Sequence, residues 1–306
     1  YIQGAEPGDL LEVHIRQVEP ARWGFTTIIP GFGFLRDLFP EPYIAHWNIQ
    51  DGYAESGDLP GVRVPGAPFM GTIGVAPSRR LRQEILLREE ELRRRGGAVL
   101  GPEPKGAVPD WEPLASEGLR TIPPRENGGN LDIKQLTAGT RLLLPVFTEG
   151  ALFSAGDAHF AQGDSECCGT AIEMDATVTV KVGVRKGMAA FIRQPHFEGG
   201  DQLKQLEPSE FYATVGFPIK PGGKVTPYHQ YLDGVRIGPL MNLSEDVTLA
   251  ARDALLQMID WLVQNKKLTR EQAYILSSVA VDLRISNLVD VPNFAVTAIL
   301  DLGVFK

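Results

Sequence analysis

Glycine and proline interrupt this chain every few residues: there are 33 Gly and 23 Pro in 306 residues, about half as much again as average usage. Long helices do not run through such spacing, so short extended segments joined by turns are expected over most of the length. Residues 9–18 alternate loosely through Leu11, Val13 and Ile15, and 23–29 form a second extended run before Pro30-Gly31-Phe32-Gly33. Strand patterns return at 141–147 and 151–155, with Thr148-Glu149-Gly150 as the turn between them. They recur at 176–184, where Val178, Val180, Val182 and Val184 take every second position.

Two regions break this rhythm. Residues 78–96 open on Ser78 as a helix cap, place Leu81, Ile85, Leu86 and Leu92 near helical spacing, and end at Gly96-Gly97. The dense Arg/Glu alternation there reads as a solvated helix face. Residues 244–264 form an amphipathic helix, Thr269-x-x-Gln272 is a capping-box start to another, and 279–283 and 295–300 read as strands. The expectation is a mainly β protein with α/β additions: a β-rich body over 1–204 and a C-terminal α/β portion over 205–306. Between them, 97–127 is an irregular excursion that suits a lid or an arm clasping a second subunit.

Hydrophobic residues at 43% and charged residues at 22% are enough for a sizeable core. The net charge of −8 argues against a nucleic-acid partner or an anionic membrane surface. No run of apolar residues is long enough to cross a bilayer. Cys167 and Cys168 are the only cysteines, and as neighbours they offer no disulfide scaffold, which favours a reducing, cytoplasmic setting. The chain opens Tyr1-Ile2-Gln3-Gly4 without Met. A segment removed from the front, or supplied by a separate chain, is therefore expected.

Reactive side chains are densest at 156–173, which holds four carboxylates, one His and both cysteines. Asp157 and His159 are two apart, so on a strand they share a face at about 6.6 Å, a span that one metal ion bridges. Asp164 and Glu166 repeat that spacing after Gly163. Carboxylates gathered this closely need a cation or a proton to coexist. Read alone, Asp-x-His is more often a turn former beside a structural histidine; its setting between two apolar strands favours a site. Arg125-Glu126-Asn127-Gly128-Gly129-Asn130-Leu131-Asp132 closes the excursion, and an Asn-Gly turn explains only its centre. The cysteines read as buried small hydrophobes, with Cys168 as nucleophile the alternative. His14, His46, His196 and His229 have no partner at ligand spacing, and Gly199-Gly200 and Gly222-Gly223 read as turns.

These segments together resemble the acetamidase/formamidase family. The resemblance is carried by Gly-Asp-Ala-His-Phe-Ala-Gln-Gly-Asp-Ser-Glu at 156–166 and Cys168-Gly169-Thr170-Ala171-Ile172-Glu173. Further blocks follow in family order: Gly4-Ala5-Glu6-Pro7-Gly8-Asp9, Trp23-Gly24-Phe25, Gly74-Val75-Ala76-Pro77-Ser78 and residues 125–132. The excursion and the aromatic-rich front look more like the formamidase branch. Ser165 stands where the family commonly has Gly, and the family's β-rich segment ahead of Gly4 is absent from this chain.

The resemblance implies a β-sandwich, jelly-roll-like body with a C-terminal α+β element, and hydrolysis of a short aliphatic amide, formamide or acetamide, to carboxylate and ammonia. Within that frame Asp132, Asp157 and His159 would hold a divalent metal, zinc before calcium. Glu166 would serve as general base, with Asn130 or a backbone N–H at the oxyanion and Asp164 and Glu173 orienting the imidazole or serving as alternative ligands. Trp23, Phe25, Trp47 and Phe160 are the candidate walls of a small pocket. The rival mechanism uses Cys168 with Glu166 or Glu173 as base, and the rival class is a jelly-roll binding module with a structural calcium site. A homo-oligomer is expected from the excursion and the apolar face of 244–264.

Overall fold

The structure is a computed structural model describing residues 1–106 and 108–305. The strands are β1 (Leu10–Ile28), β2 (Tyr43–Gln50), β3 (Tyr53–Glu55), β4 (Arg63–Pro65), β5 (Phe69–Gly74) and β6 (Gly128–Asn130). They continue as β7 (Arg141–Pro145), β8 (Ser154–His159), β9 (Glu173–Arg185), β10 (His196–Glu198), β11 (Phe211–Gly216), β12 (Val281–Asn287) and β13 (Ala295–Asp301). One ten-stranded sheet runs β4-β3-β2-β1-β9-β8-β5-β6, with β7 beside β1 and β10 beside β7; a three-stranded sheet runs β11-β13-β12. The protein is mainly β with helical additions.

β1 is the spine. Sequence reading predicts two strands separated near Pro20, and the chain instead forms one strand of 19 residues. Register shifts against β9 between Ile15 and Gln17 and between Pro20 and Gly24 absorb the break, since proline cannot donate to a ladder and sits where pairing is irregular. One half of β1 pairs with β7 and the other with β2, so a single strand serves both ends of the sheet. The strand expected at 151–155 begins only at Ser154, because Ala151 and Leu152 lie in the left-handed region and extend the turn.

Ser78 caps the helix Arg79–Arg94 by accepting from the Leu81 N–H. Only Leu81 and Ile85 of that helix are buried. Its charged face is not all solvated: Arg125 forks onto Glu89 at 2.8 and 2.9 Å, and Arg88 pairs with Glu126. These bridges tie the helix to the loop that enters β6. At the other end, Asp246 caps the helix Val247–Lys266, and Thr269 and Gln272 form the capping box of Arg270–Ala280. Both helices pack into one core with the large sheet, where Leu255 and Tyr274 join Trp47 and Phe160. The C-terminal portion therefore shares its core with the body. A second core, including Leu11, Val13, Ile73, Leu142 and Leu144, fills the opposite end.

Candidate functional site

Three neighbouring strands build the cluster. β8 pairs with β9 so that His159 lies opposite Glu173, and with β5 so that His159 lies opposite Phe69, whose ring meets the imidazole edge-on at 5.1 Å. Two residues back along β8, Asp157 points to the same side. From the far side of β5 the chain leaving β6 brings Asp132, held there because Leu131 and Asp132 both donate backbone N–H groups to the Gly71 carbonyl. Gly71 lies between the two aspartates. A Cβ on it would come within 2.6 Å of Asp132 Oδ1, 2.8 Å of Asp157 Oδ2 and 2.8 Å of His159 Cε1.

His159 is buried, and its Nε2 faces Glu173 Oε2 at 3.2 Å, Asp157 Oδ1 at 3.4 Å and Glu166 Oε1 at 3.8 Å. Among the described residues, neither His159 Nε2 nor Asp132 Oδ1 has a partner at hydrogen-bond geometry, although both atoms are sealed from solvent. Ligand atoms of Asp132, Asp157 and His159 lie within 4.8 Å of one another, as do those of His159, Glu166 and Glu173. Buried polar atoms without partners, gathered around a shared space above a glycine, are what a divalent cation requires, so the residues fit one. Imidazole nitrogen with carboxylate oxygen suits zinc, and the histidine turned into the cluster departs from an all-oxygen calcium cage.

The backbone is strained where the acids sit. Asp132, Asp157 and Glu166 have φ of 49°, 58° and 49°, left-handed values that cost about 1 kcal/mol or more each in ordinary residues. Supporting hydrogen bonds hold them: Asn130 Nδ2 donates to Asp132 Oδ2 at 2.5 Å, and Thr72 Oγ1 donates to Asn130 Oδ1 at 2.5 Å and towards Asp157 Oδ2 at 3.3 Å. Glu173 is anchored by the Ala171 N–H at 2.9 Å.

Crowding of like charges out of water sets the titration. Burial, reinforced by the charge of Asp132, pushes Glu166 up to about 9. Burial likewise pushes Asp132 up to about 6. For His159 burial acts downward, but the Asp157, Glu173 and Glu166 carboxylates gathered around Nε2 override it and hold the imidazole well above its ordinary value. Burial also acts on Asp157, in the upward direction, and the imidazole beside it wins, keeping this acid low.

Not every residue singled out from sequence arrives here. Asp164 turns the other way: it accepts from Gln135 at 3.0 Å, and its backbone N–H donates to Asp282, which also pairs with buried Lys134. Cys168 is sealed in the core with its thiol against the Thr170 and Thr27 carbonyls at 3.4 and 3.6 Å, and burial raises its pKa. Trp47 and Phe160 also belong to that core. Trp47 lies opposite Gly24, whose side of β1 faces away from Phe25. Phe25 lies opposite Glu173 across β9 and stacks on exposed Trp23 at 6.3 Å, so this pair stands at the rim. A cleft of about 760 Å³ reaches Glu166 from another side, lined by Phe32, Phe34, Leu100, Ile122 and Pro123.

Sequence reading missed Gly71, Thr72 and Gln162. Gln162 stands in the same block as His159, but Phe69-Met70-Gly71-Thr72 carries no reactive side chain to draw attention. Its role follows only from strand pairing.

A profile of the acetamidase/formamidase family matches residues 1–306. The acetamidase of Mycolicibacterium smegmatis is 35% identical over 90% of this chain and 70% of its own length. The formamidase of Methylophilus methylotrophus is 33% identical over 100% of this chain and 75% of its own length. Among solved structures, the gamma lactamase from Delftia acidovorans superposes with a TM-score of 0.85 at 33% identity, covering 99% of this chain and 74% of the lactamase chain. The chain belongs to the acetamidase/formamidase family.

Proposed function

We propose that this chain is an amidohydrolase that splits a short linear amide, formamide or acetamide, into carboxylate and ammonia at the Asp132–Asp157–His159–Glu166–Glu173 cluster. The observation that carries the reading is the pair of sealed, unpartnered polar atoms, His159 Nε2 and Asp132 Oδ1, facing one space beside the Glu166 carboxyl. Asp132, Asp157 and His159 would hold a divalent cation, zinc by donor chemistry. When bound, the cation supplies Lewis acidity toward the carbonyl and lowers the pKa of water.

The chain's own residues do the rest. Glu166, whose own proton the charge of a bound cation would displace, takes the proton of the attacking water and hands it to the departing nitrogen. Glu173, held by the Ala171 N–H, stands with Asp157 beside the imidazole and restrains its ring. Asn130 commits one amide hydrogen to Asp132 and retains the other for the carbonyl oxygen. Trp23 and Phe25 shelter the rim.

A cyclic amide is the second reading. The cleft at Glu166 is roomier than formamide needs, and the similar Delftia structure bears the name gamma lactamase.

Ammonia release from formamide, acetamide and propionamide, and ring opening of a γ-lactam, should be measured on wild type, chelator-stripped protein and Glu166→Gln. Expected is turnover by wild type and at least about a hundredfold loss in the other two. Full activity in either sinks the mechanism. Zinc or calcium binding without turnover of any amide sinks the hydrolase reading in favour of a binding module.

A further inference from the structure

Gln162 joins two parts of the cluster that are far apart in sequence. It is 5% exposed. Its Oε1 lies 2.9 Å from His159 Nδ1, and its Nε2 donates to the main-chain carbonyl of Asp132 at 2.7 Å. The second contact decides the orientation of the amide. Turned over, the amide would press its oxygen against the Asp132 carbonyl, two acceptors with no proton between them. With Oε1 thus facing the ring, Nδ1 must carry the hydrogen. Nε2 is then the atom left to face Asp157, Glu166 and Glu173.

We propose that Gln162 is a positioning residue. It selects the Nδ1–H form of His159, so that the Nε2 lone pair is presented to a divalent cation, and it fixes the Asp132 backbone so that the carboxylate of the neighbouring chain segment stays at ligand distance from that nitrogen. Second contacts of this kind orient a metal-binding imidazole and raise its basicity. Thr72 and Asn130 hold the carboxylates from one side of the cluster; Gln162 holds the imidazole and the Asp132 main chain from the other. The inference rests on the cation site proposed above.

The test uses zinc as the probe on the chelator-stripped chain of 306 residues, with calorimetric titration and nitrogen-resolved NMR of labelled histidine. In zinc-loaded wild type, His159 should show a protonated Nδ1 and a zinc-bound Nε2. Gln162→Leu, which removes both hydrogen bonds at similar volume, should bind zinc about 10- to 100-fold more weakly. Gln162→Glu, which keeps an acceptor for Nδ1–H, should retain the Nδ1–H signature and bind within about tenfold of wild type. Zinc binding by Gln162→Leu equal to wild type overturns the inference while leaving the cation site standing. So does wild-type His159 bound through Nδ1, or loss of the signature in Gln162→Glu. If Gln162→Leu does not fold, the wild-type spectrum and Gln162→Glu decide the matter. Absence of zinc binding in wild type overturns both the inference and the site beneath it.

Discussion

Gly71 lies so close beneath Asp132 that a methyl group on its Cα would come within 2.6 Å of Asp132 Oδ1. The missing side chain is part of the site's shape, because the space it leaves lies against Asp132 Oδ1, Asp157 Oδ2 and the His159 ring. Gly71→Ala should fold, with an overpacking cost of about 1–3 kcal/mol. Its divalent-cation affinity should drop by at least about tenfold. Titration of the variant with zinc checks this; wild-type affinity would mean that the cation sits elsewhere.

The acids at the site make the cation-free protein sensitive to alkali. Glu166, near 9 in the fold against 4.5 unfolded, and Asp132, near 6 against 3.8, bind protons more tightly when folded. Their stabilising contribution is complete below the unfolded values and is lost as pH rises through the folded ones. His159, also raised, acts in the same direction. The melting temperature of stripped wild type should therefore fall relative to that of Glu166→Gln as pH rises from about 5 to about 9. Saturating zinc should remove much of that dependence. A constant difference across this range would refute the assignment of Glu166 as a proton-holding acid.

Cys168 offers a direct contrast between the two enzymatic mechanisms. Its thiol is enclosed among backbone carbonyls, and burial disfavours the thiolate a nucleophile needs. Cys168→Ala should keep amide turnover within about threefold and cost about 1–2 kcal/mol of stability from the small cavity. Kinetic assay beside chemical denaturation separates these effects. A folded but inactive variant would transfer the chemistry to sulfur.

Arg125 is the joint between the helix Arg79–Arg94 and the loop leading to Asn130 and Asp132. Its guanidinium is nearly sealed, forks onto Glu89 and also donates to the Arg120 and Pro123 carbonyls at 2.7 and 3.1 Å. Arg125→Ala leaves those acceptors unpaired and should cost about 3 kcal/mol. Proteolysis between residues 97 and 127 should accelerate, and kcat should fall as Asn130 loosens. Unchanged protease resistance would show that the loop is held by other contacts.

Much of the local structure was legible because its causes are local. Ser78, Thr269 and Gln272 do their capping work within one turn of their own helices, and the alternating valines at 178–184 lie on β9 as periodicity predicts. Strand alternation suggests that Asp157 and His159 share a face, and they do meet at 3.4 Å, with Asp157 turned into the left-handed region on the way. Placements that the sequence did not foresee share a cause as well. Trp47 and Phe160 have the composition of pocket walls, but the face of a strand that meets the helices is set by register, and register placed both in the core. Asp164 follows the Asp-x-Glu spacing yet is drawn to the Lys134–Asp282 pair, from the segment after β6 and from β12.

By itself, the sequence determined a glycine-punctuated β body, capped helices in the first third and near the end, and a set of acids and one histidine whose types suit a cation. Those follow from interactions spanning a few residues. Tertiary structure alone decided which acids meet: Asp132 reaches His159 through β6, β5 and β8, and Glu173 reaches it across β8 and β9. It also placed Gly71 beneath them and Gln162 behind them. Long-range strand pairing and the desolvation it brings set those distances and proton affinities, and neither is a property of any short stretch of chain.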